Sequence, residues 1–355
     1  MSCPYGTHRS LEPRGSLPQG AWKLDNQSPL DPREIAIDVT TLNIDSASFT
    51  QIEEECHHDL EAIARKIESI VAERGKMHNP VTGSGGMLMG TISEVGSALQ
   101  GRPNAQGHVP TVGMRIATLV SLSLTPLRID EILEISPESD QVRIRGRAII
   151  FESGIWCPLP DDLPQEVALA ALDVAGAAAQ VARMVQPGQK VLVLGAGGKS
   201  GLLCCYEARR RCGPHGMVLG LERHPQGRSD LEALGFCHRV LDADAQQPVE
   251  VLQQVLAATG GEELDLVINC VNIPGTEMSS VLPLRQRGTV YFFSMATSFT
   301  AAALGAEGLG KDVDLLIGNG FAKGHDLTTL QVLRDCPPLR QLFTRRYAPT
   351  LLASS

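Results

Sequence analysis

The residues most suited to chemistry form a glycine run between an apolar stretch and a helical one. In Val191-Leu192-Val193-Leu194-Gly195-Ala196-Gly197-Gly198-Lys199-Ser200-Gly201, small residues let the backbone approach a ligand. The unpaired amides of the helix that follows point at an anion, as a pyrophosphate requires. The spacing reads as Gly195-x-x-Gly198-x-x-Gly201, because Ser200 stands where the usual GxGxxG has its third glycine. Glu222 ends the next apolar run, and a carboxylate there accepts both ribose hydroxyls and repels a 2′-phosphate. That favours NAD over NADP, although the adjacent Arg223 could pair with such a phosphate. The competing reading is a tight strand–helix turn that needs glycine only for packing. Lys199 is not a Walker lysine, since the GxxxxGK[ST] spacing is absent. Asn272 and Ser294 follow two later apolar runs, at carboxyl ends of strands where open α/β sheets bind ligands. The expected nucleotide set is Gly195, Gly197, Gly198, Lys199, Ser200, Gly201, Glu222, Arg223, Asn272 and Ser294.

A carboxylate in apolar, small-residue surroundings is costly unless paired or used. Asp173, within Leu169-Ala170-Ala171-Leu172-Asp173-Val174-Ala175-Gly176-Ala177, is therefore a candidate site acid; the alternative is an acid at a helix bend. Glu152, in Ile149-Ile150-Phe151-Glu152-Ser153-Gly154, is another candidate or an ordinary strand residue. Lys76 and His78 could serve as a base, with an exposed loop pair as the alternative. Arg128 could hold a carboxylate in bidentate fashion or be a surface charge. His57 and His58 read as the solvated face of a helix.

The elements that must position these groups follow from pattern. A chain of 355 residues has length for two cores. Lys+Arg number 31 and Asp+Glu 40, a net charge of −9, which argues against nucleic acid or anionic membrane as partner. No apolar run nears the roughly 18 residues of a membrane span, and the first residues lack the apolar core of a secretory signal. The nine cysteines contain no CxxC pair and read as free thiols in a reducing compartment. A cytoplasmic protein is expected.

Prolines interrupt the first fifty residues, so Thr7, His8 and Arg9 suit a lid or a plain tail. Alternation predicts a strand over 34–39. A capping box at Thr50 and Glu53 and one apolar stripe predict a helix over 51–74, stopped by Gly75. Short Gly-punctuated strands from 80 to 160 suggest a small β-barrel. An Ala-rich helix over 165–185 follows. Six apolar strands then alternate with helices at about 199–212, 228–235, 247–258 and 276–287, which implies a doubly wound parallel sheet.

The whole pattern resembles the medium-chain dehydrogenase/reductase superfamily, in its zinc-free, quinone-reductase-like branch. The resemblance implies a GroES-like substrate domain over 1–162, a Rossmann dinucleotide-binding domain over 163–320 and a C-terminal helical segment over 321–355. Longer strings are similar to the L-erythro-3,5-diaminohexanoate dehydrogenase family. They include Tyr5-Gly6-Thr7-His8-Arg9, Leu42-Asn43-Ile44-Asp45-Ser46-Ala47-Ser48-Phe49-Thr50, Asn79-Pro80-Val81-Thr82-Gly83-Ser84-Gly85-Gly86-Met87 and Tyr291-Phe292-Phe293-Ser294-Met295-Ala296-Thr297-Ser298-Phe299. That resemblance implies NAD-dependent oxidative deamination of 3,5-diaminohexanoate to 5-amino-3-oxohexanoate in lysine fermentation. The superfamily resemblance implies that the segment holding Asp45 faces the nicotinamide; an Asx-turn ending a strand is the alternative reading of that residue.

Two departures stand out. Where the zinc enzymes carry Gly-His-Glu, this chain has Gly85-Gly86-Met87, which supplies no ligand set, so no metal is expected. The chain also ends soon after Phe343, where superfamily members return to complete the barrel. The expected catalytic acids are thus Asp45, Asp173 and Glu152, acting on a diamino acid. The last strand, over 312–318, is an apolar edge that needs pairing or cover, and the resemblance implies a homodimer through it. A zinc-independent NAD(P)H quinone or enoyl reductase and a non-catalytic nucleotide-binding protein are the rival readings.

Overall fold

The computed structural model describes residues 3–318 and 320–349, which divide into two compact units. One runs to Asp173 and resumes at Phe343; the other is Val174–Leu342. The division thus falls at Asp173 and not at 162, and most of the described chain beyond 320 belongs to the second unit.

The prolines at the start do not leave an unstructured arm. A 3-10 turn at Thr7–Arg9 leads into a ribbon of β1 (Ser10–Glu12) and β2 (Lys23–Leu24). Arg9 is only 2% exposed. Its Nε and Nη2 donate to the two carboxylate oxygens of buried Glu34 at 2.9 and 2.6 Å. His8 Nε2 meets Glu34 Oε1 at 2.8 Å. A buried ion pair survives when its remaining polar atoms are satisfied, and here the Ser28 and Pro29 carbonyls accept from Arg9. The arm is fastened to the unit; it is not a free tail or lid.

The first unit is built on six antiparallel strands: β3 (Glu34–Asn43), β4 (Met87–Val95), β5 (Arg115–Thr118), β6 (Leu127–Ser136), β7 (Gln141–Phe151) and β8 (Trp156–Pro158). Their order is β6-β7-β3-β4-β5-β8. The long central β3 turns Ile35, Ile37, Val39 and Leu42 into the core, with a register shift between Val39 and Thr41.

The helix expected over 51–74 is two helices, α1 (Ser46–Glu55) and α2 (Leu60–Arg74). Asp45, not Thr50, caps the first. Between them His57 and His58 adopt φ of 52° and 61°, and Asp59 caps the second by accepting from Glu61 and Ala62 amides. Both histidines are exposed as expected, but in a break and not on a helix. Gly75, at φ 67°, closes α2. The stripe Ile63, Ile67, Ile70 and Val71 joins the sheet's core, and α2 packs beside edge strand β6.

The Ala-rich helix is also interrupted. α3 (Gln165–Leu172) ends at Asp173, and α4 (Ala175–Met184) opens the second unit. There follow β9 (Lys190–Leu194), α5 (Lys199–Cys212), β10 (Met217–Leu221), α6 (Pro225–Leu234), β11 (Arg239–Leu241), α7 (Pro248–Thr259), β12 (Leu264–Asn269), α8 (Glu277–Val281), β13 (Leu284–Phe292), α9 (Phe299–Gly308), β14 (Asp314–Ile317), α10 (His325–Asp335) and α11 (Pro337–Tyr347). The sheet is wholly parallel in the order β11-β10-β9-β12-β13-β14, the doubly wound arrangement expected. α8 is much shorter than 276–287 because β13 already begins at Leu284. The sequence pattern missed α9, which Ser298 caps by accepting from the Ala301 amide. Among the described residues, no single helix is long and apolar enough to cross a membrane.

Candidate active site

In the second unit, β9 delivers the chain into the glycine turn at the centre of the parallel sheet. Gly195 takes φ 71°, and a Cβ on Gly201 would lie 2.1 Å from the Gly195 carbonyl oxygen. The turn therefore requires glycine at both points. α5 starts at Lys199 with Gly198 as its N-cap, and no side chain caps it. Its first turn keeps the anion-binding character of a helix N-terminus.

Glu222, just after β10, lies across this turn. The Gly197 amide donates to its Oε2 and the His224 amide to its Oε1, both at 2.9 Å. A Cβ at Gly197 would come within 2.7 Å of Oε2. Each carboxylate oxygen keeps a further lone pair, so Glu222 can hold the loop and accept from a ribose at once. Arg223 reaches Asp244 at 3.1 Å, and Arg228 reaches Asp242 at 2.8 Å. Arg223 is thus engaged by a carboxylate at this rim.

At the ends of the next two strands, Ser294 Oγ donates to Asn272 Oδ1 at 3.4 Å and accepts from the Ala296 amide. The structure brings these two expected residues together. A residue not singled out from the pattern adjoins them, its carbonyl accepting from the Ser294 amide at 3.2 Å. Asn269, the buried last residue of β12, donates to Thr276 and Ser280 hydroxyls and accepts from the Val271 amide. Its signal is a polar residue ending an otherwise apolar buried run.

In the first unit, Asp45 leaves β3 and caps α1, with Oδ1 accepting from the Ser48 amide at 3.0 Å. Its other oxygen, Oδ2, is buried and has no hydrogen-bond partner. A buried polar atom left unmatched costs about 1–3 kcal/mol, so this oxygen calls for a donor from outside the chain. Ser48, whose amide makes that cap, has its Oγ 2.5 Å from Thr82 Oγ1, and fully buried Asn79 donates to the Ser48 carbonyl at 3.3 Å and to Gln51 Oε1 at 2.8 Å. Gly86, at φ 89°, closes on this segment, because a Cβ there would meet the Asn43 carbonyl oxygen at 2.0 Å and the Asp45 nitrogen at 2.7 Å. No group of three or more His, Cys, Asp or Glu that could hold a metal occurs among the described residues.

The other two acids are held by different elements. Glu152 pairs with Arg33 beside the start of β3, where Glu34 faces Phe151; Asp45 follows its far end, where Asn43 faces Gln141. Ten residues of strand span about 30 Å, so the structure does not bring Glu152 and Asp45 together. Asp173 is the half-buried C-cap of α3, its amide donating to the Leu169 carbonyl at 3.0 Å. Arg128 is a surface charge paired with Asp130 at 2.8 Å.

Lys76 and His78 are not an exposed pair. Lys76 is fully buried, its Nζ donating to the Pro18 carbonyl at 2.8 Å. Burial, reinforced by Arg74, pushes its ammonium down to about 8. Burial together with Lys76 and Arg74 pushes His78 down to about 4. Lys76 thus fastens the proline-rich arm.

A sequence profile of the L-erythro-3,5-diaminohexanoate dehydrogenase N-terminal domain matches residues 8–160. The chain is 59% identical over 345 residues to the L-erythro-3,5-diaminohexanoate dehydrogenase of Acetoanaerobium sticklandii, covering 97% of this chain and 99% of that one. It is 55% identical to the enzyme of that name from Fusobacterium nucleatum over the same shares. Among solved structures, CurK enoyl reductase superposes with TM-score 0.54 at 15% identity, covering 93% of this chain and 83% of that one. Escherichia coli quinone oxidoreductase does so with TM-score 0.51 at 17% identity, covering 92% and 84%. These two share its fold.

Proposed function

Because the chain belongs to the L-erythro-3,5-diaminohexanoate dehydrogenase family, we propose that it is a cytoplasmic, NAD-dependent amine dehydrogenase. It deaminates L-erythro-3,5-diaminohexanoate to 5-amino-3-oxohexanoate in lysine fermentation. Substrate ammonium, NAD and water give ketone, ammonium, NADH and one proton, which balances atoms and charge. The observation that carries this reading beyond kinship is Asp45, an acid with one oxygen fixed and the other buried without a donor. Such an oxygen suits an ammonium, which brings both positive charge and N–H donors.

The glycine turn, Glu222, Asn272 and Ser294 would hold NAD, and the fit rests on glycines whose Cβ would fill the turn. When bound, its nicotinamide accepts the hydride from C3. The carboxylates of Glu222, Asp242 and Asp244 disfavour a 2′-phosphate at this rim, and Asp244 already holds Arg223. On the substrate side, Asp45 Oδ2 accepts the proton that the C3 ammonium must lose before its C–H bond can yield a hydride. Its anchored Oδ1 keeps the carboxylate oriented, so the geometry is set before reaction. The same carboxyl then returns a proton as the C3 nitrogen leaves. Asp173 is a second candidate acid of this reaction.

The rival reading as an enoyl or quinone reductase draws on the shared fold, which hosts many chemistries. Those substrates carry no ammonium. Asp45→Asn therefore separates the two: it should abolish nearly all amine oxidation, whereas an enoyl or quinone reductase would tolerate it.

A further inference from the structure

We propose that Asn43 is a second substrate-binding residue: its amide nitrogen takes the substrate carboxylate while Asp45 takes the amine three bonds away. This rests on the amine dehydrogenase reading and specifies how that site recognises a β-amino acid. Asn43 is the last residue of β3 and is fully buried. Gln141, its cross-strand neighbour, donates through Nε2 to Asn43 Oδ1 at 3.4 Å. In this arrangement Oδ1 is the accepting end of the amide, and Nδ2 is buried with no partner. Buried amide N–H groups are ordinarily hydrogen-bonded, so this one calls for a partner.

Strand periodicity places Asn43 beside Asp45. Leu42 and Ile44 belong to the apolar core, so the residues between and after them project to the opposite side. Asp45 is still extended, at φ −61° and ψ 144°. Two residues of extended chain separate their Cα atoms by roughly 6.5–7 Å. One side of a short segment therefore carries an unmatched donor, Asn43 Nδ2, and an unmatched acceptor, Asp45 Oδ2. A β-amino acid presents the complement: a carboxylate that only accepts and, two carbons on, an ammonium that only donates. An enone, a quinone or a simple alcohol carries no such pair.

The test compares 3,5-diaminohexanoate with its carboxamide in the full-length protein and in Asn43→Asp. That substitution is nearly isosteric but replaces a donor by a negative acceptor. It should repel the carboxylate and accept an N–H from the carboxamide. The ratio of kcat/KM for acid over amide should fall about a hundredfold or more, with the affinity for NADH, read by its fluorescence, unchanged. The milder Asn43→Ser should raise KM for the acid more than it lowers kcat, and it keeps the test open if the charged variant fails to fold. An unchanged ratio, or equal loss of both substrates, would overturn the assignment. Absence of NADH formation from 3,5-diaminohexanoate by the unmodified protein would instead overturn the dehydrogenase reading beneath it.

Discussion

In the proposed reaction Asp45 combines two roles that can be pulled apart, because only one of its oxygens is engaged by the chain. An amide oxygen can still accept from the Ser48 amide, but an amide cannot take a proton. Asp45→Asn should therefore leave the melting temperature near that of the parent while lowering kcat/KM by about a hundredfold or more. Asp45→Ala should lose the cap as well, at roughly 1 kcal/mol of stability. Equal activity of parent and Asn variant would remove Asp45 from the chemistry. Glu222 is the corresponding residue on the nucleotide side. The parent should use NAD over NADP by more than tenfold, about 1.4 kcal/mol, and Glu222→Ala should narrow that gap. It should also weaken binding of both nucleotides, because Gly197 loses its acceptor; equal use of the two cofactors by the parent would contradict the assignment. Sequence makes these two acids legible in different ways. Glu222 is announced by an unbroken strand-turn-helix-strand pattern, whereas Asp45 gains meaning only from kinship and from the orphaned oxygen. The role proposed for Asn43 is not legible at all, since it depends on a cross-strand partner and an unpartnered nitrogen that only the structure shows.

At the scale of elements, periodicity locates segments better than it locates their ends. The apolar stripe of 51–74 is real, yet it straddles two helices. No periodic signal marks the left-handed backbone of His57 and His58 or the cap at Asp59. The Ala-rich run hides its break at Asp173 for the same reason, since the alanines and leucines on both sides carry high helix propensity. Burial of charge is invisible in the pattern too, because Arg9, Glu34 and Lys76 look like ordinary surface residues until their partners are known. Lys76 makes a testable case. Its folded value of about 8 lies below the ordinary 10.5, so between those values the unfolded chain binds more protons than the folded one. Stability from this group therefore rises with pH across that window, by at most about 1.4 kcal/mol per unit, and below about 8 the buried charge is a standing cost. In urea unfolding from pH 7 to 10, the parent should gain on Lys76→Met as pH rises. Parallel curves would show that Lys76 does not titrate in this way.

Across the whole molecule, the parallel, doubly wound character of the second sheet was legible because continuous apolar runs separated by helices admit few arrangements. The sheet of the first unit was legible only as short strands with turns, since antiparallel register depends on distant pairings. β14 lies at one edge of the parallel sheet, paired with β13, and shows Leu316 and Ile317 at 44% and 57% exposed. Exposed Phe299, Leu304 and Leu309 lie on or beside α9, which precedes it. An apolar edge of this kind invites pairing, and we propose a homodimer through strand 312–318. Sedimentation should find a dimer at micromolar concentration, and Leu315→Pro, which removes a ladder donor, should shift it toward monomer; a monomeric parent would contradict this.

In the proposed reaction the site oxidises an amine and releases its nitrogen. The most direct test measures NADH and ammonium together as the protein acts on 3,5-diaminohexanoate. One ammonium should appear for each NADH, and the rate should climb with pH as the neutral C3 amine becomes more abundant. NADH formed without ammonium, or formed from alcohols but not from β-amino acids, would contradict the account.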